Sequence, residues 1–457
     1  MISKKIFVLI LVFILLLLNI IPTTNAGYLK EQKASKNIIK KSDFFPIRTI
    51  FQKLFYGLFK TGIDDFQEIK PIWTNYWGGD FHEGDCQIAV DPDNNCIYLL
   101  GNSMSFSDYM CPFLVKYNLD GKKQWETILF YQVGGAYSVA VEKGYVYVTG
   151  LIFSSSKNTD VFITKYDSEG NKIWFKKWDG SSFDVGYSVL CVGNTLYVGG
   201  ITVSDSGYNS NDALLLCFED KGSTCDLLWY KTWDGGKDDS AQGIALYKHY
   251  LYICGTTRDV NGKISRDDGL LLRYDTSNPD GKLVVFDIWS TKEYDKFHDV
   301  VVHDDSLFVV GWTQGFSHEY DIVLLKYNLK TKQREWQRVW GELDDNIGYG
   351  VAVGDSHVFV VGEIRDFSGV TEKSACIVLK FDFDGDLVWS KIWGKKVYAH
   401  GEDIQFYSDN LYVGGRHARP DFKSYNDVFV FKCNKNGGRV RSRFSGLDYL
   451  FRRVRYH

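Results

Sequence analysis

An all-β fold, a seven-bladed β-propeller of four-stranded blades, is what three features of this 457-residue sequence predict. The first is a recurring phrase of aliphatic, aromatic, aliphatic, variable residue and glycine. "IYLLG", "VYVTG", "LYVGG", "LYICG", "LFVVG", "VFVVG" and a second "LYVGG" end at Gly101, Gly150, Gly200, Gly255, Gly311, Gly362 and Gly415, 49 to 56 residues apart. The second is a pair of tryptophans four residues apart, as in "GDLVWSKIWG": Trp73/Trp77, Trp174/Trp178, Trp229/Trp233, Trp336/Trp340 and Trp389/Trp393. The third is a hairpin turn signal just before the same stretch of several units, in "LDGKKQW", "SEGNKIW" and "FDGDLVW". Units of this length, dominated by β-branched and aromatic residues and punctuated by turn residues, stack as blades around a central channel.

The chain ahead of the repeats divides in two. Residues 1–26 carry Lys4 and Lys5, an apolar run from Ile6 to Ile21, and a small-residue stretch ending at Ala26. That order marks a secretory signal peptide, or an N-terminal anchor if it is retained. Residues 27–69 form a basic linker. Within it, "PIRTIFQKLFYGLFK" (46–60) places Ile47, Ile50, Phe51, Leu54, Phe55, Leu58 and Phe59 at helical spacing, an amphipathic helix that packs on the propeller or lies on a membrane surface.

The propeller itself spans 70–446. Each unit reads as four strands, as in "GYGVAV", "HVFVVGE", "ACIVLKFD" and "DLVWSKIW" of the sixth. In a strand, residues i and i+4 point the same way, so each tryptophan pair lies on one face and fills the gap between blades, which widens with radius. Six fourth strands are internal. For the seventh, "IWTNYWGG" (72–79) carries the tryptophans, whereas "GRVRSRFSG" (438–446) has the position without them. The N-terminal strand is therefore expected to complete the last blade and close the ring. Residues 447–457 are a basic C-terminal tail.

Charge is unevenly placed. Residues 1–60 are net +8 and 435–457 net +6, leaving −18 on 61–434 out of a total of −4. An acidic body repels nucleic acid and attracts cations or basic partners. The basic ends suit contact with a membrane surface, and Leu447, Leu450 and Phe451 are expected to pack on the 46–60 helix. Nine cysteines in an exported chain permit disulfides. Cys217 and Cys225 flank a hairpin turn and are the candidate pair; the competing reading makes the cysteines small apolar strand residues.

"WGG", "GIALYKHYLYICGTT" and "DVFITKYDSEGNKIW", in that recurring order, resemble the short β-propeller repeat of secreted and cell-surface proteins of bacteria and archaea. The resemblance covers about 70–446. It implies an extracellular binding or scaffold module with no assigned reaction. The fifth unit departs, with "STKEYDKFHD" lacking the Trp-Gly, and the second has only "FYQVGG".

Candidate functional residues lie in the loops that enter the first strand and join the second to the third, which share one face and are long here: "NSMSFSDYMCP", "ITVSDSGYNSND", "TTRDVNGKISRDD", "EIRDFSGVTEKSA" and "RHARPDFKSYND". Tyr208, Arg258, Trp312, Arg365, Arg416, His417 and Arg419 can stack on and fork to a ligand such as a sugar or an acidic group. His82, Glu83, Asp85, His298, His400 and Glu402, with Asp239, Asp295 and other acids, enter first strands and are expected to converge on the channel mouth. His with carboxylates suits a divalent metal or acid–base work; the alternative is a solvated acidic rim. Asp160, Asp212, Asp268, Asp321 and Asp427 open third strands and read as backbone caps.

No Gly-x-Ser-x-Gly, His-Glu-x-x-His or phosphate loop occurs, and "DFDGD" lacks the glutamate of a calcium loop. Three functions remain: a non-catalytic binding or scaffold module with a protein or glycan partner and no cofactor, a metal-assisted lyase or hydrolase, and a structural component of the cell envelope.

Overall fold

The computed structural model describes residue 63 and residues 66–438, except 156–157, 181–182, 204–209, 259–265, 317–318, 343, 367–372, 396–397 and 419–425. The expected leader, the 46–60 helix and the 447–457 tail lie outside the described residues, as do Tyr208, Arg419 and much of the long loops.

Twenty-eight strands are described, in seven antiparallel four-stranded sheets. Six sheets take four consecutive strands. The seventh adds the N-terminal strand Trp73–Trp77 to the outside of Ala399–Tyr407, Asn410–Ala418 and Asn426–Asn434, with Trp73 opposite Lys432 and Trp77 opposite Val428. Ring closure through the N-terminus is thus as the tryptophan pattern predicts. We number the blades 1 to 7 from Glu83 onward, the last being this closed one.

The repeated glycine has a steric cause. The innermost strand of every blade carries a β-bulge, for example between Gly186 and Ser188 opposite Gly200/Gly199, and between Phe297 and Asp299 opposite Gly311/Val310. At the bulge the inner strand bends onto its neighbour. A Cβ at Gly150, Gly200, Gly255, Gly311, Gly362 or Gly415 would fall on a carbonyl oxygen of that inner strand. Only glycine fits beneath the bulge.

The tryptophans join each blade to the next. The Trp73 indole N–H of blade 7 donates to the Leu119 carbonyl of blade 1 at 3.0 Å, Trp125 of blade 1 to Ser168 of blade 2 at 3.0 Å, and Trp336 of blade 5 to Phe383 of blade 6 at 3.1 Å. Each ring covers the hairpin turn it bonds. Gly121, Gly170 and Gly385 hold those turns at φ near +85°, and a Cβ there would strike Trp73, Trp125 and Trp336 respectively. In three pairs the second tryptophan goes deeper, Trp77, Trp340 and Trp393 being buried: Trp77 stacks on Phe113 at 3.5 Å and Trp393 lies 4.3 Å from Phe429. Trp174 donates to Asp220 at 3.1 Å, Trp178 packs on Tyr230, Trp229 lies over Tyr274, and a Cβ at Gly235 would meet the Trp233 ring. Trp340 meets Phe66 edge-on, and the Nε1 atoms of Trp340 and Trp389 are buried without a partner.

Two expectations are corrected. The propeller does not begin at 70: Ile63, Phe66 and Ile69 are buried, and Ile69 N donates to Ile392 O at 2.7 Å on the outer strand of blade 6. The lead-in belts blade 6 before it enters blade 7. The Cys217–Cys225 disulfide does not form. Cys217 pairs with Trp229 and Cys225 with Asp220, which puts the two thiols in different inter-blade cores. All nine cysteines are buried and unbonded.

Candidate ligand site at the channel mouth

The same bulges build the site. The residue that each bulge leaves unpaired lies thirteen positions before the repeat glycine in blades 2 to 7: Tyr137, Tyr187, Gln242, His298, Tyr349 and Glu402. Blade 1 leaves out two residues, Asp85 and Cys86, with Asp85 at φ +47°. All of these line one cavity of about 610 Å³ on the ring axis. The bulges sit near the start of the inner strands, at the end where the connections into first strands and between second and third strands meet.

One residue further along is a layer of Ser138, Ser188, Gly243, Asp299, Gly350 and Asp403. Inner strands are sheet edges with free amides, and this layer caps some of them across the blade gap. Val189 N donates to Ser138 Oγ at 3.1 Å, Val351 N to Asp299 Oδ2 at 2.9 Å and Ile88 N to Asp403 Oδ2 at 2.9 Å. Burial pushes the Asp299 carboxyl up to about 7 and the Asp403 carboxyl up to about 6; Asp403 also raises Asp299. Next comes an aliphatic ring, Ile88, Val139, Val189, Ile244, Val300, Val351 and Ile404. The channel is thus polar and aromatic at its mouth and aliphatic beneath.

Of the residues singled out from sequence, Asp85, His298, Glu402 and Arg416 do meet in this cavity. Glu402 Oε1 lies 2.8 Å from Arg416 Nε, and its Oε2 accepts Cys86 N at 2.6 Å. Burial raises the Glu402 carboxyl, while Glu402 beside it raises Arg416. Asp85 accepts Asn102 Nδ2 at 3.1 Å. His298 packs edge-on to Tyr349 with ring centres 5.2 Å apart, and its Nε2 is buried with no hydrogen-bond partner. Burial, helped by Lys296, pushes it down to about 4, so the ring is neutral.

The others sit elsewhere. His400 Nδ1 lies 3.0 Å from Glu363, which Arg365 also grips at 2.6 and 2.9 Å. His82 Nδ1 accepts Asn426 N at 3.3 Å, and burial and Arg416 lower its pKa. Arg258 binds Asp267 at 2.6 Å and Asp238 at 2.8 Å in a recess of about 290 Å³ beside the channel. Trp312 meets Tyr320 edge-on at 4.6 Å.

Glu83 is not at the channel. It is fully buried and accepts Gly79 N at 3.1 Å and Ser103 Oγ at 3.0 Å. Asp184 and Asp295 make the same clip, from Gly180 N at 2.8 Å and Thr291 N at 2.6 Å, and Asp239 takes Gly235 N at 2.6 Å. The acid that starts the inner strand ties down the preceding loop, which corrects its placement on the rim. His417 is likewise buried, against Tyr76 at 4.7 Å, rather than presented on a loop. Asp160 accepts Ser154 Oγ at 2.8 Å, a side-chain contact, and lies 3.6 Å from Lys177 Nζ. Among the described residues no three His, Cys, Asp or Glu side chains gather as a metal-binding group.

Sequence reasoning missed Tyr137, Tyr187, Gln242 and Tyr349, because no motif marks them. The offset from the repeat glycine would have found them. Also unforeseen are exposed aromatics on the same end: Phe81, Phe106, Tyr109, Tyr131, Tyr294 and Tyr398.

No protein-family model matches this sequence, and neither does any curated protein. Among solved structures, the chain is similar to the β-propeller domain of the Trilobed protease from Pyrococcus furiosus, at TM-score 0.44 and 10% identity over 78% of this chain and 98% of that one. It is also similar to YjhT, at TM-score 0.42 and 13% identity over 66% of this chain and 97% of that one.

Proposed function

We propose that this chain is a non-catalytic binding or scaffold propeller of the short β-propeller-repeat kind, working outside the cytoplasm, and that its ligand sits at the channel mouth. One observation carries this reading. Six bulges of one register, and a wider one in blade 1, deliver different side chains into a single cavity, while several of the groups suited to acid–base or metal chemistry already have partners. His400 is engaged by Glu363, Glu402 by Arg416 and Glu83 by its loop. Rigid rings with a varied concave mouth are recognition surfaces. The exposed aromatics around that end extend the contact to a protein or glycan partner. The basic ends, net +8 and +6, would hold the acidic body at an anionic surface.

The test is a binding screen of the full chain against glycans, peptides and metal ions, with Tyr349→Leu as the channel variant. Ligands captured by the wild type and lost by a still-folded Tyr349→Leu support the reading. Hydrolysis or elimination of a screened glycan that stops on chelation and in Glu402→Gln would replace it with the metal-assisted enzyme.

A further inference from the structure

We propose that the channel mouth receives an organic cation, an alkylammonium or guanidinium group, seated among the tyrosine rings and above the Asp299–Asp403 layer. This rests on the channel mouth being the binding site and adds the class of ligand.

Three of the bulge side chains are tyrosines, and Tyr137 and Tyr187 stand 5.8 Å apart at 53°, walls set at an angle rather than a closed stack. Aromatic faces attract cations, more so when water is excluded. The next layer supplies the charge. Asp299 and Asp403 each accept two backbone amides, and neither has an ion-pair partner among the described residues. Their raised carboxyls are what an uncompensated buried pair shows. The fixed cation nearby, Arg416, is committed to Glu402.

A third observation is independent of the acids. His298 Nε2 is buried in the cavity wall with no partner. A neutral imidazole nitrogen buried without a partner is unfavourable unless something bonds it, and an N–H of the guest supplies that bond. A divalent metal suits the cavity less. It needs several donors converging on one point, and no three described His, Cys, Asp or Glu side chains do so. A weakly hydrated organic cation asks only for aromatic faces and diffuse negative charge. Anions are disfavoured by Asp85, Asp299, Asp403 and Glu402 facing one cavity.

The sequence itself supplies the control variant. Blade 2 has Ser138 where blades 5 and 7 have aspartate, and it makes the same cross-blade bond, from Val189 N at 3.1 Å. Asp299→Ser with Asp403→Ser therefore removes the charge and keeps the cap.

Calorimetric titration of the full chain with butylammonium, Nα-acetyl-lysine amide and Nα-acetyl-arginine amide, beside calcium chloride and a neutral methyl glycoside, tests the idea. At least one organic cation is expected to bind at one site. The double serine variant should weaken it at least tenfold while melting cooperatively, and Tyr349→Leu should weaken it where Tyr349→Phe does not. Tighter binding of an amino-acid amide than of butylammonium assigns the cation to a protein side chain; equal or better butylammonium assigns it to a free amine. No binding by any organic cation, unchanged affinity in the folded double variant, or calcium binding in their place overturns the proposal. A neutral glycoside that binds and is lost in Tyr349→Leu overturns the cation alone and leaves the binding module standing.

Discussion

The outer rim and the channel mouth of this ring are built from the same seven-fold repeat and treat it in opposite ways. At the rim the side chain repeats. Trp73, Trp125 and Trp336 each reach the next blade's hairpin and donate to a turn carbonyl at 3.0 to 3.1 Å. At the mouth the backbone repeats and the side chain does not, since one bulge position holds Tyr, Tyr, Gln, His, Tyr and Glu in blades 2 to 7. A gap of fixed width between blades admits one large flat residue. A bulge over a glycine fixes where a side chain points and leaves its chemistry open. Identity is therefore constrained at the rim and free at the mouth, the division expected of a scaffold that carries a recognition site.

The largest test attacks the rim where it is joined. A chain beginning at residue 80 loses the five-residue strand Trp73–Trp77, the Trp77–Phe113 stack and the buried Ile63, Phe66 and Ile69. It is expected to melt on the order of 10 °C lower or to lose its cooperative transition, since each kcal/mol shifts the Tm of a large domain by ~2 °C or less. Removing 447–457 should move Tm by less than ~2 °C. Equal melting temperatures for the two would show that closure through the N-terminus does not hold the ring.

A smaller effect separates crowding from backbone conformation at the mouth. Gly311→Ala puts a Cβ on the Lys296 carbonyl oxygen, so the bulge must shift, at a cost of ~3 kcal/mol or more. Gly193→Ala, at φ +63° with open space around it, costs only ~1 kcal/mol from its left-handed conformation. Denaturant midpoints rank the two; similar losses would mean that the backbone around Gly311 yields to a Cβ at little cost and that crowding beneath the bulge does not fix the glycine.

The rim was legible in the sequence because its rules are local. An Asp-Gly turn, a tryptophan pair and a trailing glycine lie within some fifteen residues, as in 380–394, and repeat in order. Closure by residues 72–79 followed from the same pattern. The mouth was half legible. Asp85, His298 and Glu402 stood out as ionisable residues entering inner strands, but so did Glu83 and Asp295, which turn away to clip loops. Residues two to four positions apart face different surroundings here, and only the bulge register says which one enters the channel. The tyrosines carried no ionisable signal at all. The belt of Ile63, Phe66 and Ile69 was hidden because it pairs with blade 6, more than three hundred residues away along the chain, through one parallel bridge.

The channel carboxyls give the comparison a pH axis. Asp299 and Asp403 are raised from an ordinary value near 4 to about 7 and about 6. The folded chain therefore keeps protons there that the unfolded chain releases above pH ~4. Stability from this source is full below pH ~4 and is lost as pH rises through about 6 and 7. At about 1.4 kcal/mol per tenfold change in proton affinity, the two carboxyls together correspond to a loss of several kcal/mol between pH 4 and 8, and the other acids raised in the ring act in the same direction. Asp299→Ser with Asp403→Ser should flatten this slope in melts taken across that range. An unchanged slope would mean that these two carboxyls do not titrate there.

The smallest effects set one side chain at the rim against one at the mouth. Trp336→Phe keeps most of the packing on the blade 6 turn and deletes the donor to the Phe383 carbonyl. A net hydrogen bond of this kind is worth ~1 kcal/mol, and the carbonyl left behind is partly screened by Lys326 Nζ, which also reaches it at 3.1 Å. A loss of ~0.5–1 kcal/mol is therefore expected. Tyr349→Phe removes a hydroxyl that opens into the channel while its ring stays edge-on to His298. With water available to either side chain, the change should fall within ~0.5 kcal/mol. Chemical denaturation of the two variants beside the wild type decides it. If Tyr349→Phe costs as much as Trp336→Phe, the tyrosine ring is part of the framework after all, and the freedom of side-chain choice at the mouth is narrower than its variety suggests.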